Sequence, residues 1–275
     1  MRVAVLGPGL MGHTHLDAWH RLGVDAELFG RDGLGSALAD WDVVDVCTPT
    51  ATHPELTLAA AAAGRAVICE KPLALTTAEA ERMVAACAAS GVRLLPAHVV
   101  RWFPHYAEAK RRATSGEFGL IESLHLARRV PVPAWADWFT DPAQSGGVVT
   151  DLMIHDLDIA RWVAGEVIGL SAERTAYGVG GGEAVTVRLT HEGGAVSVVE
   201  GSWAASERPL VSTITITGST ASWSGNEQTG ESDPYTDQLN ELYRAITENA
   251  PARVSAADGV EAVRLAERAR VAVNG

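Results

Sequence analysis

Positive charge is scarce in this sequence. Lys and Arg total 22 against 34 Asp and Glu, for a formal net charge of −12. A nucleic-acid-binding face needs clustered cations. The longest basic run, Lys110-Arg111-Arg112, reads as one solvated helix face, so nucleic acid is excluded as a partner. Cysteine is nearly absent. Cys47, Cys69 and Cys87 are too few for a disulfide framework, their spacing fits no zinc motif, and they read as small buried apolar side chains. No apolar run is long enough to cross a bilayer without a charge or a glycine. A basic segment followed by an apolar stretch and a cleavage site is also lacking, since Met1 leads straight into the strand-like Arg2–Leu6. The expectation is a cytoplasmic protein with no membrane partner, no internal repeat and no low-complexity linker.

What is present is a core. Hydrophobic residues make up 47% and charged residues 20% of 275 positions, a composition that folds and a length suited to two domains. Strand-like Arg2–Leu6, Ala26–Phe29, Val43–Cys47, Ala66–Cys69 and Val92–Leu95 alternate with helix-like Met11–Leu22, Glu55–Ala63 and a segment opened by a Thr76/Glu79 capping box and closed by Gly91. Such alternation predicts a parallel, doubly wound sheet. After Pro96 the pattern changes. Phe103–Thr114 and Val148–Ala164 read as helices around an extended Ile121–Val130. Val185, Val187 and Leu189 then alternate with Thr186, Arg188 and Thr190, and Ile214 and Ile216 with threonines. That predicts an antiparallel sheet with one wetter face, before closing helices around Tyr235–Asn249 and Ala256–Val273. The expected division is 1–97 and 98–275.

Gly7-Pro8-Gly9-Leu10-Met11-Gly12 fits G-x-G-x-x-G between a strand and a helix. Its glycines suit a tight turn, close approach of a pyrophosphate and tight helix–strand packing, with the helix N-terminus facing the negative charge. At the end of the second strand the position usually acidic for NAD is Gly30, followed by Arg31 and Asp32. A guanidinium can pair with a 2′-phosphate, which favours NADP(H); Asp32 serving the ribose of NAD(H) is the alternative.

Two further groups carry chemistry. Glu70-Lys71-Pro72 follows a buried strand, at the edge where open α/β sheets bind ligands, and a lysine there can hold a substrate oxygen; a surface salt bridge is the plainer reading. The Lys71–Pro72 bond is a candidate for the cis form. In Gly146-Gly147 through Asp158, Asp151, His155 and Asp158 fall within about 60° on a helix, while Asp156 points away. A carboxylate one turn before a histidine can orient it as a general acid/base. A capped helix start with a partly buried histidine, or a metal site on Asp151 and His155, would explain the same residues.

These motifs, in this order, resemble the glucose–fructose oxidoreductase / inositol dehydrogenase / MocA family across most of the chain. Gly7–Gly12 is similar to its cofactor loop, and Val46 through His53 to the segment along the nicotinamide ribose. Glu70-Lys71-Pro72 resembles its hallmark tripeptide, and His98–Pro104 its G-H-x-x-R-F-x-P segment, with Ala97 and Trp102 as departures. Gly146–Asp158 resembles its G-G-x-x-x-D-x-x-x-H-D-x-D helix. The resemblance implies an α/β fold: a Rossmann domain followed by an α+β domain with an open, mostly antiparallel sheet that makes a dimer or tetramer interface. It implies hydride transfer between nicotinamide and a sugar, cyclitol or sugar-derived ketone. Lys71 would bind the reacting oxygen, His155 exchange its proton and Asp151 hold the histidine and substrate, with no metal. Thr48, Pro49, His53 and Glu70 would join the glycine loop at the cofactor, and His98, Arg101 and Trp102 would meet the substrate. Trp102, Trp135 and Trp138 could form an apolar wall against a sugar face, or could simply pack. A sensor or scaffold that binds dinucleotide without turnover is the alternative from another class. One departure is clear: nine residues separate Asp32 from Asp42, too few for the third Rossmann strand with its helices.

Overall fold

A computed structural model of the chain describes residues 1–131, 137–178, 182–204, 211–226 and 233–274. Its contacts divide it into two units. One comprises Met1–Trp102 with Asp233–Val263, the other Phe103–Ser232 with Arg264–Gly275. The division differs from a single cut at residue 97: the helix at 234–247 returns to the first unit.

The first unit is a parallel five-stranded sheet in the order β2-β1-β3-β4-β5, from β1 (Val3–Leu6), β2 (Ala26–Phe29), β3 (Val43–Val46), β4 (Ala66–Glu70) and β5 (Leu94–Ala97). All residues of β1, β3 and β5 are buried, as the continuous apolar runs require of strands covered on both faces. The helices are α1 (Leu10–Arg21), α2 (Leu34–Asp40), α3 (His53–Ala62), α4 (Thr77–Ala89) and, from the end of the chain, Pro234–Thr247, which is α8 once the second unit is counted. Trp19 of α1 and Leu239 and Leu242 of α8 close over Val3, Val5, Val43 and Ile68. The expected cap of α4 forms: Thr76 Oγ1 accepts from the Glu79 N–H, and Gly91 takes a left-handed φ of +68° just past the end. Between β2 and β3 the chain makes one 3₁₀ turn, Arg31–Gly33, and the seven-residue α2. Among the described residues no strand lies outside β2. The truncation read from the spacing is therefore a missing edge strand.

The second unit is a six-stranded sheet in the order β11-β10-β6-β9-β8-β7, from β6 (Ile121–Pro131), β7 (Val167–Gly178), β8 (Gly182–His191), β9 (Val196–Ala204), β10 (Val211–Gly218) and β11 (Ser222–Asn226). Every neighbouring pair is antiparallel except β6 with β9. The alternation holds: Val185, Val187, Leu189, Ile214 and Ile216 are buried, while Arg188 and Thr190 are exposed. The helices are α5 (Pro104–Thr114), the short α6 (Pro142–Ser145) and a long helix that runs as a π-helix over Val149–Met153 and continues as α7 (Ile154–Ala164). Helix α5 meets β10, and α7 meets β6 and β9. Gly201 of β9 leaves the space that Met153 fills, since a Cβ there would overlap the Met153 side chain. Helix α9 (Ala256–Asn274) is shared, its start to Val263 belonging to the first unit. Among the described residues no helix is long and apolar enough to cross a membrane.

Candidate functional site

The strand order reverses between β1 and β3, and the glycine turn lies there, at the carboxyl ends of the strands. Gly7 has a φ of +109°, and a Cβ on it would stand 2.6 Å from the Cys47 carbonyl oxygen. A Cβ on Gly12 would overlap the Gly7 carbonyl and come within 3.2 Å of Leu28. Both glycines are demanded by the fold. Gly9 differs: its backbone is extended, and nothing lies within 4 Å of where its Cβ would be. The fold leaves space there that a pyrophosphate could occupy. Pro8, Gly9 and Leu10 are exposed, Met11 is partly buried, and no side chain caps or acidifies the first turn of α1. This arrangement fits a dinucleotide phosphate on the N–H groups of α1. Gly30 also has open space around its Cβ position. The side chain of Arg31 lies outside the described residues, and Asp32 is exposed in the 3₁₀ turn.

The loops after β3 and β4 are tied together. His53 places Nδ1 2.8 Å from the Pro72 carbonyl and Nε2 2.8 Å from the Thr48 carbonyl. It is fully enclosed, and burial lowers its pKa despite the two carbonyls. The Thr52 hydroxyl lies 2.7 Å from Thr48 Oγ1 and 2.8 Å from the Pro49 carbonyl. So His53, expected at the cofactor, has both ring nitrogens on backbone and holds the Thr48-Pro49 loop against Glu70-Lys71-Pro72. The Lys71–Pro72 peptide is cis. Glu70 is 5% exposed and accepts the Lys71 backbone N–H at 3.0 Å. Lys71 itself is half-buried.

Beneath these loops is a buried polar cluster. His15 of α1 lies with Nδ1 2.9 Å from Asp45 Oδ2 and Nε2 3.0 Å from Glu70 Oε1. Trp19 donates Nε1–H to Asp45 at 2.8 Å, and the Cys47 sulfur is 3.3 Å from His15 Nδ1. Burial works against charge on His15, but the adjacent Asp45 carboxylate prevails and holds its pKa well above the ordinary value. Burial pushes the Cys47 and Cys69 thiols up, and Cys87 up to about 11, so all three are protonated and inert, in keeping with their reading as buried small residues. Cys47 nevertheless meets His15 and Asp45 as a group with metal-ligand donors. Linear spacing could not reveal this, because α1, β3 and β4 each contribute from a different part of the chain. A histidine three residues after Gly12 and an aspartate inside an apolar strand were the available signals.

His98, Arg101 and Trp102, expected at the substrate, are all enclosed in the first unit at 1%, 1% and 7% exposure. Arg101 donates to the Arg253 carbonyl at 2.8 Å, and the Arg253 guanidinium lies 4.6 Å from the Trp102 ring centroid. Arg101 and Trp102 therefore hold the segment after α8.

In the second unit Gly146 and Gly147 both have left-handed φ, +74° and +73°, and lead directly into the long helix. Ser145 Oγ accepts the Gly147 N–H at 3.0 Å. Asp151 lies in the π segment and is buried; His155 is the second residue of α7 and half-buried. In an α-helix residues four apart overshoot one turn by about 40°. A π turn closes i→i+5, so Asp151 and His155 come closer to eclipse, and such bulges recur at functional sites. Asp156 meets β6 and α5. It is fully buried and accepts Arg128 Nε at 2.6 Å, Arg128 Nη2 at 3.1 Å and the Tyr106 hydroxyl at 2.8 Å. This clamp fastens the His155 segment to β6, and the sequence reading had no sign of it. Trp138 is half-buried and stacked on Phe139, ring centroids 3.8 Å apart; Trp135 lies outside the described residues.

Comparison with known proteins agrees with these features. Residues 32–98 match a family model described as an oxidoreductase family with an NAD-binding Rossmann fold. Residues 106–224 match the GFO/IDH/MocA C-terminal domain, and the two matches together cover more than half of the chain. The chain is similar to a D-apiose dehydrogenase of Paraburkholderia graminis, 34% identical over 225 residues, covering 73% of this chain and 60% of that protein. It is also similar to a myo-inositol 2-dehydrogenase of Thermotoga maritima, 30% identical over 191 residues, covering 61% of this chain and 56% of that protein. The matched stretches thus span little more than half the length of these relatives. In fold it is similar to the myo-inositol 2-dehydrogenase of Lactobacillus plantarum, with a TM-score of 0.85, 20% identity, and coverage of 100% of this chain and 97% of the other. With a glycine turn shaped for a dinucleotide, an open mixed sheet and both halves matched, the chain belongs to the Gfo/Idh/MocA oxidoreductase family.

Proposed function

We propose that this protein is a cytoplasmic NAD(P)-dependent dehydrogenase or reductase acting on a sugar, a cyclitol or a sugar-derived ketone. The observation that carries the reading is the glycine turn, crowded at Gly7 and Gly12 and open at Gly9, on the same sheet edge as Glu70-Lys71. The relatives that act on D-apiose and myo-inositol support the substrate class. The nicotinamide supplies hydride exchange. Family resemblance supports Lys71 as the cation that binds the reacting oxygen, His155 as the group that takes or returns its proton, and Asp151 as the partner that orients His155. In the oxidative direction His155 would take the O–H proton while Lys71 holds the oxygen, and the carbinol hydride would pass to a bound nicotinamide. The Asp156–Arg128 clamp supports this role by fixing the turn that carries His155.

The test is turnover of a polyol and sugar panel including D-apiose and myo-inositol. His155→Ala is expected to lower turnover by about 10²–10⁴-fold, with NADH affinity changed less than about twofold. Near wild-type turnover in that variant would remove the acid/base role. Tight cofactor binding with no turnover of any substrate would favour the sensor reading.

The cofactor reading goes further. Gly30 removes the acid that would repel a 2′-phosphate, and Arg31 offers a charge-assisted contact of about 1.5–3 kcal/mol. Taken at the lower end of that range, the contact makes NADPH bind about tenfold tighter than NADH. Titration against tryptophan fluorescence measures both, and Arg31→Ala should erase the difference. An NADH preference would assign the ribose to Asp32.

A further inference from the structure

The His15 cluster is not used by the chemistry above, yet it joins the helix that presents the glycine turn to the tripeptide that carries Lys71. Both ring nitrogens of His15 face carboxylates: Nδ1 lies 2.9 and 3.1 Å from the Asp45 oxygens, and Nε2 lies 3.0 Å from Glu70 Oε1. A neutral imidazole has one N–H and would turn a lone pair on one of those carboxylates. An imidazolium donates to both. The second oxygen of Glu70 accepts the Lys71 backbone N–H, and Asp45 takes a further hydrogen bond from Trp19. The carboxylates are thus held on both sides, at 0% exposure for His15 and Asp45. A buried network so fully bonded rigidifies what it touches.

We propose that His15 is a positioning residue: as a doubly donating imidazolium it ties Glu70 to Asp45 and so fixes the Glu70-Lys71 backbone relative to α1 and its glycine turn. This rests on the reading of Lys71 as the residue that meets the reacting oxygen. The groups facing His15 are Asp45 and Cys47 from β3 and its end, Glu70 from β4 and the Tyr235 ring of α8, centroids 6.5 Å apart, while Trp19 of the same helix reaches Asp45. Burial opposes the charge on the ring, and the Asp45 carboxylate beside Nδ1 outweighs it.

The sequence has two lysines, Lys71 and Lys110, so amine chemistry reads Lys71 with an internal control. Lys110 lies in the second unit, with Nζ 2.5 Å from the Trp162 carbonyl. The first experiment needs no variant: ¹⁵N NMR of the histidine rings in the apo protein from pH 6 to 9. Both His15 nitrogens are expected to keep their protons at pH 8, and Asp45→Asn to convert the ring to the neutral pattern below that pH. A neutral His15 at pH 7 in the wild type overturns the proposal. The second is reductive methylation followed by mass spectrometry. In His15→Gln, with near-UV circular dichroism unchanged, the Lys71 rate is expected to rise at least about fivefold while the Lys110 rate stays constant. The substituted amide can donate to one carboxylate but turns its carbonyl on the other. Adding Glu70→Gln gives that carbonyl a donor, so the double variant His15→Gln/Glu70→Gln should restore slow labelling. An unchanged Lys71 rate in His15→Gln, or no rescue in the double variant, refutes the positioning role. Stoichiometric zinc lost on Cys47→Ala would instead make His15, Asp45 and Cys47 a metal site. None of these readouts uses cofactor or substrate. Failure of the wild type to bind NADH or NADPH would sink the functional reading and leave these results standing.

Discussion

Two histidines illustrate how single residues answer to partners that the linear sequence hides. His15 has a folded pKa raised well above 6.5. A raised histidine contributes stability that is complete below its unfolded pKa and is lost as pH rises through the folded value. His105 of α5 is the opposite case: burial first, then the Arg128 guanidinium, lower it to about 4. Its contribution is complete above about 6.5 and is lost as pH falls toward 4, an effect of at most about 3 kcal/mol at one pKa unit per 1.36 kcal/mol, reduced where solvent screens the ring. Urea unfolding from pH 4 to 9 is therefore expected to show a stability maximum between the two limbs. His105→Asn should flatten the acid limb, and His15→Gln/Glu70→Gln the alkaline limb. An alkaline limb of undiminished slope in the double variant would mean that His15 takes up no proton on folding. Neither shift was legible in sequence. The helix position of His15 can be read, but its neighbour Asp45 lies thirty residues away and meets it only because β3 sits beside β1.

At the scale of elements, glycine punctuation was the most readable part. The strand–turn–helix at Gly7–Gly12, the end of α4 at Gly91 and the entry to the long helix at Gly146-Gly147 all stand where the residue types demand. The π segment was not readable, because Val149–Met153 has an ordinary helical composition and the wider turn comes from how the helix is seated. Met153 fills the space left by Gly201, some fifty residues on. Two substitutions separate what the turn does for the fold from what it does for the ligand. Gly9→Ala adds a methyl to open space with extended backbone, so the melting temperature should stay within about 2 °C. The same methyl enters the space assigned to the pyrophosphate, so dinucleotide affinity should fall at least about tenfold. Gly12→Ala drives its Cβ into the Gly7 carbonyl, and overpacking of this kind costs about 1–3 kcal/mol. Thermal melts and NADH titration of both variants check the contrast. Unchanged NADH affinity in Gly9→Ala would move the phosphate away from this turn.

For the whole molecule, composition and alternation were enough to expect a parallel sheet followed by an antiparallel one with a wetter face, because burial on two faces and on one face leave different patterns. The pairing of β6 with β9 in parallel, and the return of α8 to the first unit, depend on long-range closure that no local pattern encodes. The open face of the second sheet leads to the assembly expected of the intact protein. Across its strands runs a row of Glu173, Thr186, Glu200, Ala127 and Thr213 in register. A second row along it joins Ser171, Arg188, Val198, His125 and Thr215. Val196, Val198 and Ala127 are partly exposed amid the threonines, so the face is neither a charged solvent surface nor a bare apolar one. Such a composition suits a self-complementary contact, with small apolar side chains central and charge pairs such as His125–Glu200 about them. Sedimentation at micromolar concentration is expected to give a dimer or tetramer, not a monomer near 29.0 kDa. Thr186 sits between Glu173 and Glu200, and a third carboxylate in that row, doubled by a two-fold axis, opposes the contact at about 0.2–1 kcal/mol per like-charged pair. Thr186→Glu should therefore shift the protein toward monomer while far-UV circular dichroism stays unchanged. A wild-type monomer, or an oligomer indifferent to Thr186→Glu, would show that this face meets solvent.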